Sequence, residues 1–240
     1  MADIASETFL SQLKSLYPVK PSYRENPWYA VAAIAFSASN RPDAVPFVLK
    51  YAFNDLEALS APDEDYVFVV RKIRDAIFKS GMISGFPKVG IGHHSAINAL
   101  VALHAETPKK YCDDKPLRNT DLSNEELTLR GQEFFNQTYG ETASSVQSLL
   151  HNIYPDLGYY VTSFGYGFGY AFMDVTSPME TSFAMISALI ATDTPRQIEW
   201  HLTGALRNGA TKEEVKAVRA IAIEIAKAAG ITWKGDIPDL

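Results

Sequence analysis

Apolar residues recur along this chain at helical spacing, and polar punctuation separates the runs. Asn26-Pro27 reads as an N-cap followed by proline at the first helical position, opening an alanine-rich helix to about Ser39. Arg41-Pro42-Asp43 breaks it, and a second helix runs to about Leu59. Pro62-Asp63 starts a third, in which Val67, Val70, Ile73 and Ile77 recur at helical spacing until Gly85-Phe86-Pro87. Residues 95–104 read as another helix by their Ala/Leu content. The stretch 108–124 has charge, proline and asparagine without apolar periodicity, and reads as a linker.

Three capping boxes mark the second half. They are Ser123-Asn124-Glu125-Glu126, Ser177-Pro178-Met179-Glu180 and Thr211-Lys212-Glu213-Glu214. Pro155 and the run Gly165-Tyr166-Gly167-Phe168-Gly169-Tyr170 punctuate the region between the first two, and Thr194-Pro195 caps a further helix. In the last helix Val215, Val218, Ala222, Ile225 and Ala229 form one stripe that needs a partner, and Gly230 is its stop. Asn208-Gly209 lies between helical patterns and suits a helix–helix turn, not a hairpin. The expected fold is all-α: a helical bundle of two loosely similar units, 1–107 and 125–240, joined by the linker.

Composition narrows the function classes. Of 240 residues 47% are hydrophobic and 21% charged, ordinary for a globular protein. A net charge of −6 without clustered Lys and Arg argues against a nucleic-acid surface. The longest apolar run, 28–36, is far short of the roughly 20 residues that span a bilayer, so no membrane association is expected. The first residues lack the pattern of a targeting peptide, and Pro238-Asp239-Leu240 is not the peroxisomal C-terminal signal, so the expected compartment is the cytoplasm. The single cysteine, Cys112, can make neither an internal disulfide nor a thiolate cage.

Residues 179–230 carry the most specific pattern. Glu180 opens a helix that ends in Ala188-Leu189-Ile190-Ala191. His201 follows, then Gly204-Ala205-Leu206-Arg207-Asn208-Gly209-Ala210-Thr211 and Glu213-Glu214-Val215. This order resembles the carboxymuconolactone decarboxylase family, which also contains the alkylhydroperoxidase D-type proteins. Arg130-Gly131 and Tyr139-Gly140 look like the segment preceding that core. The first half looks like a degenerate partner unit through Ile83-Ser84-Gly85-Phe86-Pro87-Lys88 and Ile97-Asn98-Ala99-Leu100, with 89–96 as an insertion.

The resemblance implies a small helical bundle that self-associates, as a dimer, trimer or hexamer. It also implies a departure. Peroxidase-type members carry a CxxC pair before the histidine, whereas this chain has Ala191-Thr192-Asp193-Thr194-Pro195-Arg196-Gln197. Thiol peroxidase chemistry needs a low-pKa thiolate and a resolving thiol, and is excluded. What remains is a cofactor-independent lyase or isomerase acting on a small carboxylated lactone or keto acid. The alternative is a non-catalytic scaffold or binding protein that keeps the fold.

Each candidate has a chemical and a structural reading. His201 is suited to deliver a proton to the carbon left after decarboxylation, or it hydrogen-bonds within a helix interface. Glu180 orients that histidine, or simply fills the N3 position of its capping box. Arg207 clamps a substrate carboxylate, or sits as a favourable cation at a helix C-terminus. Tyr166, with Phe168 and Tyr170, lines a substrate pocket, or its flanking glycines let two helices approach closely. Adjacent histidines such as His93-His94 diverge on most backbones, and no carboxylate sits at helical ligand spacing, so no metal and no cofactor are expected.

Overall fold

The architecture is built around two helices that are buried on every side. In the computed structural model, which describes residues 4–88, 113 and 115–240, all eleven residues of α2 (Trp28–Ala38) are buried. A helix that is apolar all round belongs inside a bundle, and its five alanines let neighbours pack close. Its counterpart is α8 (Pro178–Ala191), buried from Glu180 to Ala191. Around these two pack α4 (Asp63–Ser84), α9 (Pro195–Arg207) and α10 (Lys212–Ala228), with α1 (Glu7–Leu16) and α3 (Val45–Ala58) outside them. One hydrophobic cluster therefore joins Phe36 and Ile73 to Phe183 and Val218. Among the described residues there is no strand, and no helix is long and apolar enough to cross a membrane.

A second layer contains α5 (Asn124–Tyr139), α6 (Ala143–Ile153), α7 (Pro155–Tyr160) and a π-helix (Val161–Tyr170). The aromatic–glycine run does not interrupt the chain as expected. It is wound into this wider helix, as in the bond from Ala171 N to Tyr166 O at 2.7 Å. The glycines serve helix approach. A Cβ added at Gly131 would lie 1.9 Å from the Thr162 carbonyl oxygen, and one at Gly167 would lie 2.0 Å from that of Leu127. Backbone meets backbone in both places, so no rotamer can relieve the clash. Gly167→Ala is expected to cost about 3 kcal/mol in a urea melt, the upper part of the usual range for overpacking. An unchanged midpoint would mean that the two helices can part.

All three capping boxes form, with both reciprocal bonds in each. Gly230 takes a φ of +84° just past α10, the left-handed conformation of a helix stop. Two expectations need correction. Asn26 does accept from Trp28 N at 3.3 Å, but Pro27 occupies the cap position and the helix starts at Trp28. Thr194 does not cap α9, because its hydroxyl turns back to the Leu189 carbonyl oxygen at 3.2 Å. The first helix, α1, has no counterpart in the sequence reading, although Ser6 caps it and Leu10 and Leu13 bury its inner face. The helix expected over 95–104, the 89–96 insertion, His93-His94 and Cys112 lie outside the described residues.

Candidate functional site

Charge enters the core along one side of α4. Lys72, Asp75 and Lys79 stand at i, i+3 and i+7 and so share a face, which turns inward toward the start of α8. Lys72 forms an ion pair with Glu180, and the two side chains keep 9% and 10% of their surface exposed. The same Glu180 oxygen accepts from Ser177 N at 2.8 Å, so the carboxylate closes the capping box and holds the lysine at once.

Lys79 has no exposed surface. Its ammonium donates to the Phe172 carbonyl oxygen at 2.6 Å, to Thr176 Oγ1 at 2.7 Å and to Thr181 Oγ1 at 2.8 Å, and stands 3.5 Å from Asp75. Burial pushes its pKa down to about 8, and Arg118 adds repulsion while Asp75 opposes the shift. Asp75 also accepts from the Thr176 hydroxyl at 2.6 Å and from Arg118 Nη2 at 2.7 Å. Arg118 reaches the Phe168 and Gly169 carbonyl oxygens at the end of the π-helix as well.

A cleft of about 410 Å³ opens beside this network. Val67, Phe68, Leu117, Phe172 and Val175 give it an apolar floor, and Arg24, Arg71, Glu64 and Asp174 stand in its wall. Phe68 links cleft to core: the Arg24 guanidinium and the Lys72 ammonium each lie 5.0 Å from its ring centroid. The Lys72–Glu180 pair is thus one ring away from the cleft. Arg24 is held by Asp65 and Arg71 by Asp113.

The residues singled out in the sequence do not converge. His201 is buried on α9 in an aromatic nest, its ring 5.4 Å from that of Tyr139. Its Nε2 pairs with the Tyr139 hydroxyl at 3.3 Å, and Nδ1 has no partner among the described residues. With Nε2–H donating to Tyr139, only a lone pair is orphaned at Nδ1, the cheaper of the two tautomers. Burial pushes the histidine pKa down to about 4, so the ring is neutral near pH 7. No hydrogen bond or ion pair joins it to Glu180 among the described residues.

Arg207 is exposed, and its Nη1 donates to the Thr138 carbonyl oxygen at 3.1 Å, closing the end of α5. Tyr166 is 3% exposed and packs against Phe135, Tyr139 and Tyr170. The sequence reading missed Lys72, Asp75, Lys79 and Arg118. The available signal was opposite charges at i and i+4, Asp75 and Lys79, inside the otherwise apolar arc containing Ile73, Ala76 and Ile77.

Comparison with known proteins bears on what this arrangement serves. Residues 155–233 match the carboxymuconolactone decarboxylase family. A relative from Schizosaccharomyces pombe, "Peroxisomal protein 2", is 34% identical over 213 residues, covering 88% of this chain and 91% of that one. The chain belongs to the carboxymuconolactone decarboxylase family. A Saccharomyces cerevisiae protein of the same name is 29% identical across the full length of both chains. No solved structure matches. Lys72, which pairs with Glu180, lies outside the matched stretch, so this family member draws one half of its central ion pair from the preceding half of the chain.

Proposed function

We propose that the protein is a cofactor-independent lyase or isomerase that takes a small carboxylated lactone or keto acid into the cleft beside α4. The observation that carries this is the buried Lys72–Glu180 pair lying behind Phe68. Arg24 and Arg71 stand where they can orient a carboxylate, and the apolar floor favours breaking its C–C bond, with carbon dioxide leaving and the negative charge passing to the carbon left behind. The carbanion left behind needs a proton, which Lys72 can donate while Glu180 holds it in place. The geometry favours this pair over His201, which is neutral and buried against the Tyr139 ring.

Mass-spectrometric turnover of a panel of carboxylated lactones and β-keto acids tests the reading. Loss of carbon dioxide by native protein should fall roughly 10²–10⁴-fold in Lys72→Met and Glu180→Gln, and only a few-fold in His201→Phe. The reverse ranking would return the proton transfer to His201.

One observation favours the non-catalytic reading. Glu214, in the third capping box, is also buried, takes Lys20 at 2.6 Å and accepts from the Tyr17 hydroxyl. A capping-box glutamate with a lysine partner is therefore also a structural device of this fold. Failure of folded native protein to convert any member of the panel would move the assignment to a scaffold.

Two further proposals accompany these readings. The exposed Ile153, Tyr154, Tyr159 and Tyr160 support self-association, measurable by sedimentation. The name that both relatives carry supports a peroxisomal address over a cytoplasmic one. A fluorescent protein fused to the N-terminus should appear as puncta coincident with a peroxisomal marker. Diffuse signal would restore the cytoplasm.

A further inference from the structure

The cleft beside α4 does not end at Arg71. Val67, Phe68, Arg71, Arg74, Asp75 and Phe78 fall on one stripe of that helix, at i, i+1, i+4, i+7, i+8 and i+11. The first three line the 410 Å³ cleft. The last four line a neighbouring hollow of about 210 Å³, and Arg71 and Leu117 belong to both. Passing from Val67 to Phe78 covers about 16 Å along the helix axis.

Along that path the wall changes character. At the Phe68 end apolar side chains dominate and the charges of Arg24, Glu64 and Asp174 are mixed in sign. In the second hollow Arg71, Arg74, Lys115 and Arg118 face two carboxylates, Asp75 and Asp113. This is a concentrated positive patch on a chain whose net charge is −6. Both carboxylates are already engaged, Asp113 by Arg71 and Asp75 by Arg118 and Thr176. Arg74 and Lys115 form no ion pair among the described residues. Arg118 is fixed in place between the Phe78 and Phe172 rings, 4.3 and 4.5 Å from their centroids, with its Nε and Nη2 bonded. The hollow thus combines a rigid guanidinium with uncommitted cations, a combination suited to an anion of more than one charge.

We propose that the second hollow binds a phosphate-type group carried by the substrate, so that the substrate is an amphipathic organic anion. Its reacting end, which bears the carboxylate, lies beside Phe68 and Arg24, and its phosphate is read by Arg71, Arg74, Lys115 and Arg118. The proposal deepens the lyase reading and rests on it for where the reacting end lies. The ligand is a soluble molecule, not the headgroup of a bilayer lipid.

Calorimetric titration of the full native chain with hexyl phosphate, hexanoate and hexanol tests this without requiring turnover. Hexyl phosphate should bind at least roughly tenfold tighter than hexanol, and the advantage should shrink as salt is raised. The double variant Arg74→Gln/Lys115→Gln alters side chains outside the buried network. It should keep the native melting temperature and hexanol affinity but lose the phosphate advantage. Equal affinity for phosphate and alcohol, or an advantage that survives in the double variant, would overturn the proposal. So would binding to phosphatidic acid vesicles without binding to soluble hexyl phosphate. Phosphate-dependent binding with no turnover of any panel member or of its phosphorylated counterpart would overturn the lyase reading alone. Turnover of simple carboxylates with no phosphate preference would overturn the phosphate site alone.

Discussion

Glu180→Ala is expected to lower the unfolding free energy by about 4–5 kcal/mol. Two losses combine. Lys72 is left as a buried cation without its partner, an effect of about 3–5 kcal/mol when one member of such a pair is removed. The α8 capping box also loses its reciprocal bond to Ser177 N, and caps contribute roughly 0.5–2 kcal/mol. The converse variant, Lys72→Met, should cost much less, because Glu180 keeps Ser177 N and the favourable end of α8. Combining Lys72→Met with Glu180→Gln replaces the pair by neutral groups of similar shape, and should recover most of the loss. Urea melts at neutral pH on Lys72→Met, Glu180→Gln, their double variant and native protein give the coupling between the two residues directly. If Glu180→Ala shifted stability by less than about 1 kcal/mol, the pair would have to be solvated, and the enclosed proton donor proposed above would fail with it.

Acid should weaken the fold through His201. In the unfolded chain this histidine takes up a proton near pH 6.5, whereas in the folded protein burial holds its pKa down to about 4. Between those values the unfolded state binds more protons. Stability is therefore full above pH 6.5, falls as the pH drops through this window, and levels below 4. The whole fall is about 3 kcal/mol at 1.36 kcal/mol per pKa unit. His201→Phe keeps an aromatic ring of similar size and removes the titration. It should cost about 1 kcal/mol at neutral pH, where Tyr139 loses its partner. By pH 4.5 it should be the more stable of the two proteins. Reading the difference between the two pH profiles cancels the carboxylates that titrate in both. Parallel profiles would mean that water reaches the imidazole.

Local rules made part of this legible. Each capping box is a pattern four residues long, and its bonds close within those residues, so Ser123, Ser177 and Thr211 could be found without knowing what surrounds them. The glycines flanking Tyr166 pointed to close helix approach for a similarly local reason, although nothing local specifies the wider winding of Val161–Tyr170. The polar core was illegible because its logic is long-range. Lys72 and Glu180 are 108 residues apart and Lys79 and Phe172 are 93 apart, and a charged residue on a helix reads as solvated until its partner is known. Resemblance singled out Glu180 and His201 together, but sequence order carries no distance, and the fold gives each its own set of partners.

The burial of α8 also sets a schedule for synthesis. The helix fills a socket walled by α2 and α4, and about 140 residues separate the end of α2 from the start of α8. At about 5–20 residues per second, the socket waits on the order of ten seconds for the helix that fills it. Throughout that interval α2, with no polar face to turn outward, shows apolar surface to everything near the ribosome. Synthesis without a chaperone that holds nascent chains until Ala191 has emerged is therefore expected to lower the yield of folded protein.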